Sequence, residues 1–189
     1  MNKEIIRAQK LLERKQLSVE YRESATLNIA EQLFQTREFL QSKIVHIYIS
    51  TEYEVGTGEI IKKCFELGKR VVVPRTNADC TVIDHVEVGP NTEYEVQHFG
   101  IRVPVKNYSN FDLCEMSECD LFAVPLVAFD SRGNRIGYGK GCYDRFLGLA
   151  QSYKFGLAFT IQKVAMIEAD DFDVVLDWAI SNVEKAKYE

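Results

Sequence analysis

Helical periodicity marks the first forty residues, which predict two helices. The apolar positions of the first fall between Ile5 and Leu12, and those of the second between Val19 and Phe34. Ser18 stands where the second helix needs an N-cap, and Glu20 lies in its first turn, where a negative charge is favourable. We therefore expect one helix on each side of Ser18.

The pattern then changes to that of buried strands. Ile44 to Ile49 is short, β-branched and almost wholly apolar, which is typical of a strand covered on both faces. A helix capped by Thr57 and ended by Gly68 follows. Arg70 to Pro74 is the next predicted strand, and we expect its proline to stop it.

Helices and strands continue to alternate along the rest of the chain. Turn signals and alternating stretches in residues 75–118 predict short antiparallel strands. The remaining predicted elements are strand 121–125, helix 139–150, strand 155–159 and an edge strand from 174–176 and 178–180. This alternation indicates an α/β fold in three layers, with helices covering a mostly parallel sheet. At 189 residues, we expect a single domain over residues 1–189.

Composition argues against several classes of protein. The net charge is −5, so the basic face that a nucleic-acid binder needs is not expected. No apolar run approaches the ~18–20 residues that span a bilayer. Met1 to Glu4 are charged from the third residue, so we do not expect them to begin a signal peptide. The five cysteines, an odd number without a Cys-x-x-Cys pair, are expected to be reduced thiols. We therefore expect a soluble cytoplasmic protein that binds neither nucleic acid nor membrane.

Glycines and charges concentrate between a predicted strand and a predicted helix. Four of the eleven glycines fall within nine residues: Gly133, Gly137, Gly139 and Gly141. Ligands bind beyond the carboxyl ends of parallel strands, and glycines let backbone N–H groups approach one anion. Arg135 and Lys140 add positive charge, and Asp144 adds an oxygen ligand suited to magnesium. The stretch therefore predicts a site for phosphate and a metal ion.

Two better-known phosphate motifs do not fit this stretch. A P-loop ending at Gly139-Lys140 would need glycine at 134 and Ser or Thr at 141, where Asn134 and Gly141 stand. A dinucleotide fingerprint starting at Gly137 would need glycine at 142, where Cys142 stands. The alternative that the glycines serve only turns stays open, although turns alone do not require the neighbouring charges.

A basic stripe on the first helix is a second candidate feature. Lys3, Arg7, Lys10 and Arg14 are spaced so that they share one helical face. Such a stripe is most often a solvated surface. Beside an anion-binding loop, Lys3 and Arg7 can instead clamp a polyphosphate.

Two acidic positions can likewise be either ligand-binding residues or ordinary surface residues. Glu54, just beyond a buried strand, can accept two N–H donors of a heterocycle, or it is an exposed loop acid. Asp173 can complete a magnesium site with Asp144, or the stretch 168–173 is solvated surface. The three histidines have no partner nucleophile in the sequence and are interpreted as structural: His46, His85 and His98.

The stretch from Val124 to Arg145 resembles the signature of 5-formyltetrahydrofolate cyclo-ligases, also called methenyltetrahydrofolate synthetases. Lys3-x-x-x-Arg7 is similar to the family's N-terminal ATP contact, and Ile49 to Thr57 to its folate-binding segment. Phe155 to Phe159, followed by Gln162, resembles its next strand. The resemblance implies an ATP- and Mg²⁺-dependent ligase that converts 5-formyltetrahydrofolate to 5,10-methenyltetrahydrofolate, on a fold related to sugar-phosphate isomerases and coenzyme A transferases.

The resemblance also implies roles for individual residues. Arg135 and Lys140 are expected to be catalytic cations, and Asp144, with Asp173 as the second contact, to hold Mg²⁺. The positions expected to bind ATP are Lys3, Arg7, Arg135, Gly137, Tyr138, Gly139, Lys140, Gly141, Cys142 and Tyr143. Those expected to bind the reduced folate are Ile49, Glu54, Tyr138 and Cys142.

The sequence departs from the family pattern at two positions. Cys142 stands where the family more often has tyrosine, and Phe172-Asp173 where bacterial relatives often have His-Asp. Two rival functions on the same fold stay open. A sensor of a phosphate ligand could dispense with Asp144 and the folate segment, and the presence of both disfavours it. An inactive interaction module is suggested only by the departure at Cys142. The oligomeric state is left open between a monomer and a weak homodimer.

Overall fold

The structure, a computed structural model, describes residues 2–76, 83–97, 100–111, 117–148 and 152–188. Its helices are α1 (Lys3–Lys15), α2 (Val19–Phe34), α3 (Arg37–Gln41), α4 (Gly58–Glu66) and α5 (Cys142–Leu147). Its strands are β1 (Ile44–Ile47), β2 (Arg70–Thr76), β3 (Ile83–Val96), β4 (Arg102–Phe111), β5 (Leu121–Val124), β6 (Ala128–Phe129), β7 (Arg135–Ile136), β8 (Tyr153–Ala158), β9 (Trp178–Ser181) and β10 (Lys185–Lys187).

Eight of these strands form one sheet in the order β10-β9-β8-β5-β1-β2-β3-β4. The five strands from β9 to β2 run parallel, whereas β10 at one end and β3 and β4 at the other are antiparallel to their neighbours. The predicted mostly parallel α/β sheet is therefore confirmed. The carboxyl ends of the parallel strands meet at one edge, where the loops after β1 and β5 emerge.

Helices cover both faces of the sheet because strand side chains alternate between the two sides. Val45 and Ile47 of β1 pack in one core with buried residues of α2, α3 and α4. Phe122 and Val124 of β5 point to the other core, together with Phe146 of α5. Burial of such side chains contributes about 1.5–3 kcal/mol each, which makes the central strands the rigid support of the loops.

Helix α1 lies apart from these two cores and covers the β6–β7 hairpin. Asn2 caps it, accepting a hydrogen bond from the Glu4 amide at 2.7 Å. Ile6 is 4% exposed and packs with Ala128, Ile136 and Ile167. This contact places the basic face of α1 beside the loop that follows β7.

Several predicted element boundaries were wrong. Pro74 does not end β2, because the β1–β2 register ends at Val72 and β2 continues to Thr76 paired with β3. The last apolar patches do not form an edge strand: β9 begins at Trp178, and β10 lies outside it. The antiparallel strands of the middle segment are confirmed, but β3 and β4 are long, with 14 and 10 residues.

Three further differences concern helices and strand length. The short α3 was not predicted, and β1 ends at Ile47 rather than Ile49. Helix α5 begins at Cys142, not at Gly139, and has only six residues; positions 149 and 150 of the predicted helix lie outside the described residues, as do Cys80, His98 and Cys114. In the part of the chain that is described, no helix combines the length and apolar character needed to cross a membrane.

Candidate active site

The loop between β7 and α5, from Gly137 to Gly141, is held against α1 by Arg7. The Arg7 Nε donates a hydrogen bond to the Gly137 carbonyl at 2.8 Å. Gly139 has φ +91°, and a Cβ there would lie 3.2 Å from the Arg7 Cζ, so both conformation and space call for glycine. The two terminal nitrogens of Arg7 make no hydrogen bond with the described residues and stay available to an anion.

Gly133 has a different role, because it lies in the turn between β6 and β7. Its φ is +82°, and a Cβ would lie 2.8 Å from the Leu176 carbonyl oxygen. The buried Asp130 carboxylate accepts hydrogen bonds from the Arg132 and Asn134 amides and fixes this turn. The interpretation that a glycine serves only a turn therefore holds for Gly133.

Lys140 is the exposed cation of the glycine loop. Its ammonium has no hydrogen bond or ion pair with the described residues. It borders an open pocket of about 270 Å³ whose other lining residues are Gly141, Asp144, Arg145 and Phe172. An unpaired lysine at the rim of a pocket is suited to a phosphate ligand.

Arg135 and Asp144 form an ion pair beneath this pocket. The Arg135 Nη2 lies 2.6 Å from the Asp144 Oδ1, and its Nη1 donates to the Val174 carbonyl. Asp144 Oδ1 also accepts from the Val174 amide at 3.2 Å, whereas Oδ2 has no partner among the described residues. The Arg135 side chain is only 4% exposed, so in the described contacts it orients Asp144.

Lys3 lies between two aspartates, and one of them, Asp173, directly precedes the Val174 that contacts Arg135 and Asp144. Its Nζ is 2.6 Å from the Asp170 Oδ2 and 2.5 Å from the Asp173 Oδ2. Burial alone would lower the pKa of Lys3, but the hydrogen bonds to both aspartates raise it. Burial would raise the pKa of Asp173, and the hydrogen bond from Lys3 lowers it instead. Both groups are therefore charged, and Lys3 is engaged by carboxylates in this structure.

A hydrogen-bonded chain joins the loop after β1 to the glycine loop. The Arg14 Nη2 donates to the Tyr138 hydroxyl at 2.6 Å, and that hydroxyl donates to the Glu54 Oε1 at 2.7 Å. Glu54 Oε2 accepts from the Thr51 amide and hydroxyl at 2.8 and 2.9 Å. Glu54 is therefore not a free loop acid. Burial, with the charge of Glu54, raises the pKa of Tyr138, which stays protonated as a donor.

Among the residues of this hydrogen-bonded series, Arg14 is the one for which the sequence predicted no role in the site. It was grouped with the basic stripe of α1, yet it is only 3% exposed. The Arg14 Nη1 also donates to the Leu126 carbonyl at 3.3 Å, which ties α1 to the loop after β5. The only signal in the sequence was its position seven residues after Arg7, on the same helical face.

The remaining predicted site residues lie in or next to these two loops. Ile49 is 9% exposed and belongs to the core below the loop after β1. Cys142 begins α5, with its Sγ 3.2 Å from the Arg145 Nη2. The Tyr143 hydroxyl is buried and has no hydrogen-bond partner among the described residues. Burial raises the pKa of Tyr143.

No group of three or more His, Cys, Asp or Glu side chains in the described residues forms a ready metal site. The site thus combines a glycine loop, unpaired cationic atoms on Arg7 and Lys140, and carboxylates at Glu54, Asp144 and Asp173. Such a set is suited to binding a polyphosphate beside a heterocycle with N–H donors. It contains no nucleophile paired with a base among these residues.

Comparison with known proteins gives the same family by sequence and by structure. A family model described as the 5-formyltetrahydrofolate cyclo-ligase family matches residues 1–182. A probable 5-formyltetrahydrofolate cyclo-ligase of Caenorhabditis elegans is 33% identical over 174 residues, which cover 87% of this chain and 84% of the relative. The 5-formyltetrahydrofolate cyclo-ligase of Haemophilus influenzae is 33% identical over 140 residues, covering 72% and 74%.

The fold also has a solved counterpart. The NMR structure of Aquifex aeolicus 5,10-methenyltetrahydrofolate synthetase superposes with a TM-score of 0.84 at 29% sequence identity. The superposition covers 99% of this chain and 93% of that one.

Proposed function

The chain belongs to the 5-formyltetrahydrofolate cyclo-ligase family, and from this premise we propose that it converts 5-formyltetrahydrofolate to 5,10-methenyltetrahydrofolate. The reaction uses ATP and Mg²⁺ and releases ADP and phosphate. The observation that carries the proposal is the hydrogen bond of 2.7 Å between Tyr138 and Glu54. It brings the glycine loop, with its cations, to the loop in which Glu54 is oriented as an acceptor.

Folate is proposed to bind at the loop after β1. A carboxylate accepts only, and Glu54 has about four acceptor positions, of which the described residues fill three. The remaining one suits an N–H donor of the pterin ring. Ile49 and Cys142 lie next to the same two loops and are proposed to shape the pocket around the ring.

ATP is proposed to bind along the glycine loop. Lys140 and the terminal nitrogens of Arg7 are the cations that lack partners among the described residues, so they can neutralise its phosphates. Lys3 is proposed to join them by releasing Asp170 or Asp173 when the nucleotide arrives. Gly137, Gly139 and Gly141 let the backbone pass close to the phosphates, and Tyr143 supports the loop from below.

The residues present fit a magnesium ion that arrives with the nucleotide. Asp144 Oδ2 and Asp173 Oδ1 have no partner among the described residues, and Mg²⁺ is commonly held by one or two carboxylates together with phosphate oxygens. Asp144, oriented by Arg135, and Asp173 would hold it. When bound, the ion supplies charge neutralisation at the phosphates.

The proposed reaction requires the protein to position its substrates and to neutralise negative charge. In the proposed sequence the formyl oxygen attacks the γ-phosphorus and the bond to ADP breaks. N10 then attacks the formyl carbon and gives up its proton, and phosphate leaves as the ring closes. Lys140 and Arg7 neutralise the charge that builds up on the transferred group, while Glu54 holds the pterin in place.

We propose that the partners of the chain are these small molecules alone and that it acts in the cytoplasm. Cys64 is a buried thiol whose pKa is raised to about 12 by burial, which makes it unreactive.

The proposal is tested by measuring ADP release from ATP and Mg²⁺ with and without 5-formyltetrahydrofolate. We expect release only with the folate, and Lys140→Ala should lower its rate roughly 10²–10³-fold. Lys106→Ala is the matched control, because Lys106 is an exposed lysine paired with Glu93 on the β3–β4 hairpin. The proposal would be overturned if ADP were released at the same rate with and without the folate, or if the two variants had equal rates.

A further inference from the structure

The chain of hydrogen bonds from Arg14 through Tyr138 to Glu54 has a fixed direction. A guanidinium only donates and a carboxylate only accepts. The Tyr138 hydroxyl lies 2.6 Å from the Arg14 Nη2 and 2.7 Å from the Glu54 Oε1. It must therefore accept a hydrogen bond from Arg14 and donate one to Glu54. Its orientation is set from both ends.

Arg14 is an unusual residue to find in this position. It is 3% exposed, its Nε is buried without a partner, and no carboxylate contacts it directly among the described residues. An incompletely paired charge in the interior lowers stability unless an opposite charge is close. The nearest one on this chain of contacts is Glu54, one hydroxyl group away.

One of the two Glu54 carboxylate oxygens is held in place by this series of hydrogen bonds. Its Oε2 is held locally by the amide and hydroxyl of Thr51. Its Oε1 is held by Tyr138 alone among the described residues. Without the phenol, the carboxylate keeps one anchored oxygen and becomes free to turn about it.

We propose that Arg14 is a positioning residue for the folate substrate: acting through Tyr138, it holds Glu54 in the orientation that accepts a hydrogen bond from the pterin ring. The inference rests on the proposed function, because it takes Glu54 as the folate acceptor. Arg14 thereby links α1 to the substrate without touching it. The glycine loop thereby contributes to folate binding through the side chain of Tyr138.

The test combines steady-state kinetics with calorimetric binding of 5-formyltetrahydrofolate in the absence of ATP, for wild type, Arg14→Met, Tyr138→Phe and the double variant. Each single variant should raise the folate KM and Kd by roughly tenfold, the size expected for one hydrogen bond to a charged group. The KM for ATP should change less than about twofold. The double variant should be no worse than the poorer single variant, because both changes break the same chain.

Two further variants separate positioning from folding. Lys10→Met removes another cation of α1 that is tethered to a backbone carbonyl, that of Ile161, and it should leave the folate KM within about twofold. Arg14→Lys keeps the charge and one donor, and we expect it to recover part of the affinity lost in Arg14→Met. Tyr138 is about half exposed, so Tyr138→Phe should fold even if Arg14→Met does not.

The outcomes distinguish this inference from the proposed function. A wild-type protein that binds no 5-formyltetrahydrofolate overturns both. If wild type binds 5-formyltetrahydrofolate and Tyr138→Phe binds it equally well, only the proposed role of the hydrogen bonds from Arg14 through Tyr138 to Glu54 is overturned. Additive losses in the double variant, or equal losses for ATP and folate, show that Arg14 serves the fold and not Glu54.

Discussion

The buried pair His46 and His85 should make the protein lose stability in mild acid. The His46 Nε2 lies 3.0 Å from the His85 Nδ1, and the two side chains are almost wholly buried. The His46 Nδ1 has no partner among the described residues, so the arrangement with His46 Nε2–H as donor leaves no buried N–H unpaired. The rings of Phe122, Tyr143 and Phe146 surround the pair.

This environment keeps both rings neutral in the folded protein. Burial lowers the pKa of His46 well below its ordinary value, and the neighbouring His85 lowers it further. Burial lowers the pKa of His85 to about 4, although the charge of Asp84 opposes this shift. The unfolded chain takes up protons near pH ~6.5, whereas the folded chain does not until the pH is far lower. Stability is therefore full above pH ~6.5 and falls as the pH drops toward about 4.

The linkage relation gives the magnitude. Between pH 7 and pH 5, a histidine that protonates only when unfolded removes about 2 kcal/mol from the free energy of unfolding, and the pair removes about 4 kcal/mol. The assay is urea unfolding at pH 7, 6 and 5, for wild type and the double variant His46→Leu, His85→Leu. We expect the wild-type free energy to fall more steeply than that of the double variant, by about that amount.

Equal pH dependence in the two proteins would show that the two histidines do not cause the loss of stability, since the other titratable groups are common to both. A native-state NMR titration in which either ring protonates near pH ~6.5 would refute it as well.

Substitutions at Asp144, Arg135 and Gly133 test the site and the turn that supports it. Asp144→Asn should raise the magnesium concentration needed for half-maximal rate, and an unchanged magnesium titration would exclude Asp144 as a ligand. Arg135→Ala should lower turnover roughly 10–100-fold, because Asp144 loses the partner that orients it; near-normal turnover would remove Arg135 from the mechanism. Gly133→Ala should lower the free energy of unfolding by roughly 2–5 kcal/mol, through its positive φ and its contact with a backbone carbonyl. Gly89→Ala, where a Cβ meets nothing within 4 Å, is the control and should cost less than about 1 kcal/mol.

The central sheet could be predicted because its strands are covered on both faces. All four residues of β1 and of β5 are buried, so each strand is a continuous run of buried positions even where His46 interrupts the apolar pattern. The course of β2 past Pro74 could not be predicted, because it depends on pairing with β3, a segment several residues further along the chain. Local rules for proline describe one strand and not its partners.

The site was predictable where a role depends on residue type and not where it depends on tertiary contacts. The glycine loop and its cations were found from their composition. Gly133 and Gly139 both have positive φ, however, and only the structure shows that the first meets backbone while the second meets Arg7. Arg14 was not found because an arginine of a basic stripe is normally solvated. The roles assigned to the individual site residues, and the single domain, stay predictions.

Ligase activity is measured directly by the near-ultraviolet absorbance of the purified protein mixed with 5-formyltetrahydrofolate, ATP and Mg²⁺. The conjugated 5,10-methenyl product absorbs where the substrate does not. We expect a rise that requires all three components and is lost in Lys140→Ala but kept in Lys106→Ala. No rise, with ATP still bound by calorimetry, would contradict the ligase and favour a sensor of a phosphate ligand that retains the glycine loop.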